Sequence, residues 1–239
     1  MNKRPAYILP LIVISQFAGT SLWFVGNAIL PDIQTHLGIQ SNSAGNITSV
    51  VQFGFIAGTL VFAIFSIADR FASRKVFFLS SVIAALSNIF IVWFATNLAG
   101  LYVLRFVTGF FLAGIYPVGM KIASDWYEKS LGAALGLLVG ALVLGTAFPH
   151  LLRSNLYALP WRQVLIFTSL FAVIGGLLIL FFVREGPHRK SPTHFQLSSI
   201  SLQMPTRPFP AAVLPVERDP TVSSPTENSA VAQTCDLSK

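Results

Sequence analysis

Residues 44–96 read AGNITSVVQFGFIAGTLVFAIFSIADRFASRKVFFLSSVIAALSNIFIVWFAT, in which two long apolar runs flank the charged link DRFASRK at 69–75. Each run has about 20 residues or more, the length of a helix that crosses the hydrocarbon core of a bilayer. A helix is required there, because every unpaired backbone group in lipid costs several kcal/mol. The stretch therefore predicts two transmembrane helices joined by a short charged loop.

The same pattern continues on both sides of this pair. Apolar runs that predict membrane-spanning helices occupy 6–30, 44–68, 76–96, 98–122, 131–152 and 163–183. The first run is too long for the apolar part of a signal peptide, and Pro31 and Asp32 end it without a small-residue cleavage site. We therefore expect an all-α membrane protein with six transmembrane helices.

Composition narrows the classes of function. The chain is 54% hydrophobic and only 10% charged, against about a quarter charged residues in soluble domains. Its net charge of +7 does not predict nucleic-acid binding, because the basic residues lie at the ends of the apolar runs. The single cysteine, Cys235, excludes a cysteine-based metal cluster. No catalytic constellation, metal motif or cofactor motif is visible in the sequence, so we expect a protein that is not an enzyme.

The Lys and Arg residues between the runs predict the orientation in the membrane. Those predicted for one side are Lys3, Arg4, Arg70, Arg74, Lys75, Lys121, Lys129, Arg184, Arg189 and Lys190, and those for the other side are Arg153 and Arg162. The positive-inside rule then places both termini of this cell-membrane protein in the cytoplasm. The two arginines on the other side are a mild exception to the rule.

The composition changes abruptly after Arg184. The segment that follows contains eight of the fourteen prolines and no long apolar run. Such a segment cannot bury enough apolar surface to offset the entropy lost on ordering. We expect a transmembrane domain at 1–187 and a disordered cytoplasmic tail at 188–239.

Polar side chains inside the runs are the first candidates for function, because they are costly in a membrane. Arg105 is a charge well inside the fourth run, and Arg105, Gly109, Leu112 and Tyr116 recur at helical spacing, which predicts one face. Such a stripe suits a polar pathway. The alternatives are that Arg105 reaches a nearby interface or pairs with backbone carbonyls.

The first run has a similar stripe, formed by Gln16, Thr20, Trp23 and Asn27. These groups could hydrogen-bond a solute, or they could bond neighbouring helices. Gln52 and Asn88 present weaker cases of the same kind. No Asp or Glu lies deep within a run, so the sequence shows no carboxylate relay for protons.

Glycines recur along the fifth run, at Gly132, Gly136, Gly140 and Gly145. Their spacing makes a narrow groove along one helix face, and small residues let helix backbones approach closely in a membrane. We expect Gly136, Gly140 and Gly145 to serve helix packing.

The link at 69–75 resembles the signature loop of the major facilitator superfamily of secondary transporters. Asp69, Arg70, Arg74 and Lys75 match that loop in place, whereas glycines are replaced at two of its positions. Arg105 and Gly109 resemble the Arg-x-x-x-Gly motif in the fourth helix of the family. The fifth run resembles the glycine-rich fifth helix of the family through Gly136, Gly140 and Gly145. The sequence Arg184–Pro187 resembles the end of its sixth helix.

This resemblance covers about 1–187 and implies the N-terminal half of a twelve-helix fold, built from two inverted three-helix repeats. It implies transport of a small solute by alternating access, with the half rocking against a second copy or a separate second half. Arg105 would attract an anionic solute, which Gln16, Asn27 and Tyr116 would orient. The cytoplasmic gate implied by the resemblance would be formed by Asp69, Arg70, Arg74 and Asp125.

A different class of function stays open. A truncation or frameshift after residue 187 would also produce the abrupt change from apolar helix to proline-rich tail. The product would then be a non-transporting membrane remnant, or a protein that acts by interaction within the membrane.

Overall fold

The computed structural model describes residues 5–38, 43–94, 97–128, 130–154 and 159–188. The regular structure in these residues is helical throughout. The helices are α1 (Ile8–Thr20), α2 (Val25–Ala28), α3 (Leu30–Leu37), α4 (Ser43–Ile64), α5 (Ile67–Arg70), α6 (Ser73–Phe94), α7 (Leu98–Leu112), α8 (Tyr116–Trp126), α9 (Leu131–Ser154) and α10 (Trp161–Phe182). From residue 189 onward, the tail that the sequence predicts lies outside the described residues.

Six membrane segments account for these helices. Within the described residues, five stretches are long and apolar enough to cross a bilayer, namely α4, α6, α7 with α8, α9 and α10. The shorter apolar helix α1, together with α2, occupies the first apolar run, and α3 begins where that run ends. The prediction of an all-α membrane protein with six membrane segments is therefore confirmed.

The first segment is broken, which corrects the expectation of a single continuous helix. The helix stops at Thr20 and resumes at Val25. Just before the break, Thr20 Oγ1 donates to the Gln16 carbonyl at 2.8 Å, and Ser21 Oγ donates to the Ala18 carbonyl at 2.7 Å. Hydroxyl groups that bond the preceding turn compete with the helix ladder and bend it.

The fourth segment is broken in the same way between α7 and α8. Residues 113–115 form turns, and Pro117 follows as one of the first residues of α8. Proline has no N–H to donate to the residue four positions earlier, and it is favoured in the first turn of a helix. The ladder therefore stops before Pro117 and a new helix starts with it.

The helix contacts follow a two-fold pattern. Helix α7 packs against α4 and α6. Helix α1 packs in the same way against α9 and α10, and α6 packs against α10. Exchanging the first three segments for the last three leaves this set of contacts unchanged. Because each set crosses the membrane three times, the second set starts from the opposite side, so the two repeats are inverted.

Helices α4 and α7 lie in direct backbone contact. A Cβ added to Gly58 would collide with the carbonyl of Phe110, and a Cβ added to Gly109 would collide with the carbonyl of Val51. Small residues permit this close approach of helices in a membrane. Gly109, which matches a family motif, therefore packs one repeat against the other.

The outer surface of the helices is apolar. Large side chains such as Phe53, Phe94 and Phe181 are more than half exposed, with Phe181 at 71%. Apolar surface of this extent is unusual on a soluble monomer. In a bilayer the same surface contacts lipid chains.

Candidate functional site

Arg105 of α7 lies inside the bundle with no exposed surface. Its Nη2 donates to Asn88 Oδ1 of α6 at 2.9 Å, and its Nη1 donates to the Leu22 carbonyl at 3.3 Å. Leu22 lies in the break between α1 and α2, where backbone at membrane depth needs a partner within the protein. The guanidinium thus ties the broken first segment to α6.

Asn88 extends this network to α10. Its Nδ2 donates to Ser169 Oγ at 2.9 Å and to the Leu165 carbonyl at 3.3 Å, while its Oδ1 accepts from Arg105. Four membrane segments are therefore joined by one buried chain of hydrogen bonds. The sequence marked Asn88 only as a polar residue in an apolar run, because its partners lie far away along the chain.

The charge of Arg105 has no carboxylate partner within the described residues. Its hydrogen-bond partners are a neutral amide and a backbone carbonyl, and its Nε has none in this part of the chain. A buried charge without a counter-ion is unfavourable by several kcal/mol. Gly26 lets the guanidinium lie close to the first segment, because a Cβ there would lie only 3.1 Å from the guanidinium carbon. Arg105 is therefore a closely packed cation without an ionised partner among the described residues.

The stripe predicted through Arg105 is interrupted before its last member, Tyr116. Helix α7 ends at Leu112, and Tyr116 begins a new helix after the break. Gly109 faces the backbone of α4, whereas Arg105 faces the first segment and α6. The spacing argument assumed one continuous helix across 113–115, so it holds for the three residues within α7 and not for Tyr116.

Two other predicted residues combine burial with unpaired polar atoms. Gln16 is fully buried beside Gly119 of α8, and neither Nε2 nor Oε1 has a hydrogen-bond partner among the described residues. The Trp23 Nε1 is also buried without a described partner. The Trp23 ring lies 4.6 Å from the ring of Phe55 and 6.4 Å from that of Tyr116, measured between centroids.

The break in the first segment also divides its predicted stripe. Thr20 bonds its own helix, whereas Asn27 lies beyond the break in α2 and accepts a hydrogen bond from Thr48 of α4 at 2.9 Å. Gln16 and Asn27 are thus not on one continuous helix face. The structure does bring Trp23 and Tyr116 together, although they belong to different repeats.

An ion pair lies at each end of the bundle. At one end Lys121 Nζ of α8 lies 2.8 Å from Asp69 Oδ1 of α5. At the other end Arg153 of α9 makes a bidentate pair with Asp32 of α3, and this hydrogen bond holds the pKa of Asp32 below its usual value. In each pair, one residue lies at the end of a broken segment, and the other lies where the last two segments of the other repeat are joined. The two pairs are therefore equivalent under the two-fold pattern, with their charges exchanged.

Asp69 and Asp125, both expected at the gate, have different surroundings. Asp125 is buried, and its backbone carbonyl accepts from the His188 N–H at 3.0 Å. Lys121, which the sequence used only for orientation, takes the ion-pair position.

The remaining predicted gate residues and the fifth-run glycines are placed as follows. Arg70 is exposed, and Arg74 is half-buried with an unpartnered Nε among the described residues.

A Cβ added to Gly145 would collide with Thr20 of α1, whereas one added to Gly136 or Gly140 would meet nothing within 4 Å. Gly136 and Gly140 instead line an open groove of about 340 Å³ between α1 and α9, so among the described residues no neighbouring helix touches them as Thr20 touches Gly145.

Comparison with known proteins gives related transporters. A family model described as Major Facilitator Superfamily matches residues 11–223. A probable sulfoacetate transporter of Cupriavidus necator is 26% identical over 163 residues, which cover 67% of this chain and 37% of that protein. The D-galactonate transporter of Escherichia coli O6:H1 is 30% identical over 112 residues, which cover 46% of this chain and 26% of that protein.

The fold is also found among solved structures. A bacterial homologue of the human lysosomal transporter Spinster, inward-facing and occupied, aligns with a TM-score of 0.58 at 17% identity, over 80% of this chain and 46% of that chain. This chain spans about half, or less, of the length of these relatives. Because the family model matches most of the chain, and the helices pack as in a transporter of this fold, the chain belongs to the Major Facilitator Superfamily.

Proposed function

We propose that this chain is the N-terminal half of a secondary transporter that moves a small organic anion by alternating access. The observation that carries the proposal is Arg105, a fully buried cation whose described partners are neutral. A solute carboxylate or sulfonate would balance this charge. The names of two relatives agree with this class, because sulfoacetate and D-galactonate are both anions.

In this proposal Arg105 supplies the charge and its neighbours orient the solute. A guanidinium can hold an oxyanion through two parallel hydrogen bonds, and the Nε of Arg105 is unpartnered in the described chain. The amide of Gln16 offers a donor and an acceptor, and Tyr116 offers a phenol. Asn27 would take part through its amide group, next to its contact with Thr48.

The ion pairs at the two ends would keep the half rigid while it rocks. Rocking of one rigid bundle against another is the usual motion in this class of transporter. We place Asp69, Arg70, Arg74 and Asp125 at a cytoplasmic gate, with both termini of the chain in the cytoplasm of the cell. The opposing wall would come from a second copy or a separate second half. The open glycine face of α9 offers an unfilled surface for it.

Uptake into liposomes tests this function. We would reconstitute the purified chain, alone and cross-linked as a dimer, and measure uptake of labelled sulfoacetate and D-galactonate. Variants Arg105→Lys and Arg105→Ala should both abolish binding or flux in the protein that is inserted and monodisperse, because alanine removes the charge and lysine lacks the planar fork. Arg162→Ala, at an exposed position, serves as the control. Uptake that is unchanged in Arg105→Ala would contradict the proposed site.

A further inference from the structure

A groove on the outer side of the bundle is separate from the Arg105 network. It lies between α4, α6 and α7, close to the link that follows α4, and its volume is about 520 Å³. Ligand sites commonly measure roughly 300–1,000 Å³. Its walls are apolar and include Val61, Leu79 and Phe110. Leu79 is 58% exposed, so the groove opens towards the surroundings of the bundle rather than towards its interior.

Two cations line one end of this groove. Arg70 of α5 and Lys75 of α6 are both exposed, and neither makes an ion pair with a described residue. Asp69, the carboxylate next to Arg70 in sequence, is paired with Lys121. The positive charge at this end of the groove is therefore not balanced by the described protein.

The depth of the groove matches the layers of a lipid leaflet. Arg70 and Lys75 lie where α4 has ended and α6 begins, which is the level of the headgroups for segments of this length. From Lys75 the groove follows α6 to Ser80, about 8 Å further along the helix at 1.5 Å per residue. A molecule that fits would be anionic at the membrane surface and apolar below it.

We infer that this groove binds an anionic phospholipid, with the phosphate at Arg70 and Lys75 and the first part of an acyl chain against Leu79 and Phe110. A small soluble anion would not use the apolar wall. A second copy of the chain would have to bring a negative charge to the mouth of the groove. Basic pockets between transmembrane helices are known to hold anionic headgroups.

Native mass spectrometry of detergent-solubilised protein tests the site. The protein is titrated with equal amounts of phosphatidylglycerol, which is anionic, and phosphatidylcholine, which is not. We expect a clear preference for phosphatidylglycerol in the parent. The double variant Arg70→Gln/Lys75→Gln should lower that preference about twenty-five-fold, since each cation at an anionic surface contributes roughly fivefold.

Two further variants separate this site from general attraction between charges. Arg162→Gln/Arg184→Gln removes the same charge at exposed positions outside the groove and should keep the preference. Leu79→Trp fills the groove from an exposed position and should lower binding of phosphatidylglycerol without a change of charge. An equal loss in the control pair, an unchanged preference in the groove variants, or no preference in the parent would each overturn the inference. The readout does not depend on transport, so it is independent of the proposed function.

Discussion

Replacing Gly109 by alanine should push α4 and α7 apart. An added Cβ would collide with the Val51 carbonyl oxygen, and it would lie 2.9 Å from the carbonyl carbon and 3.1 Å from the Phe55 nitrogen. All three are backbone atoms, so no side chain can turn aside. Overpacking of this kind costs about 1–3 kcal/mol, against about 0.5–1 kcal/mol gained when alanine replaces glycine in a helix. We expect a net loss of about 1–2 kcal/mol.

The matched control is Gly136→Ala on α9. The added Cβ there meets nothing within 4 Å, so only the helix propensity changes and stability should be equal or slightly higher. The assay is thermal unfolding of the monomeric protein in detergent, followed by the loss of monodisperse material. Gly109→Ala should lower the midpoint by roughly 3–6 °C. If both variants unfold with the parent, the close contact between α4 and α7 does not exist in solution.

Three more predictions follow from the polar groups. Asn88→Asp should give the buried guanidinium an internal counter-ion and weaken anion binding by the folded variant about tenfold or more; equal binding by the folded variant would contradict this. Arg153 lowers the pKa of Asp32, so their ion pair should stabilise the folded protein at pH values above the ordinary carboxyl pKa. This stabilisation should be lost as the pH falls through the lowered pKa of Asp32. Asp32→Asn should remove this pH dependence from acid unfolding curves. Cysteine at Arg162 should react with an impermeant thiol reagent outside intact cells and cysteine at Arg184 should not, and reversed labelling would overturn the proposed orientation.

The membrane segments could be predicted from sequence because they depend on local composition. The run predicted at 131–152 is α9 (Leu131–Ser154), and the run at 163–183 is α10 (Trp161–Phe182). The breaks were missed, although their signals were present. Adjacent hydroxyl groups at Thr20 and Ser21, and a proline at 117, mark them, but apolar periodicity alone gives these signals no weight.

The candidate site was only partly predictable. Arg105 was identified because a charge in an apolar run is rare. Its partner Leu22 lies 83 residues away in sequence, in a helix break that apolar periodicity does not predict. The glycines show the same limit. Gly58 and Gly140 look alike in sequence, yet one touches a neighbouring backbone and the other faces open space, because only the tertiary arrangement decides which helix face has a neighbour.

The most direct test of the anion site is a comparison of D-galactonate with D-galactonamide, which has the same carbon skeleton without the charge. Equilibrium binding to the parent and to Arg105→Gln would be measured by calorimetry in detergent. We predict that the parent prefers the anion by about tenfold or more, as a hydrogen bond to a charged group contributes roughly 1.5–3 kcal/mol, and that Arg105→Gln shows no preference. Equal affinity of the folded parent for both compounds, or a preference that survives in Arg105→Gln, would contradict the account.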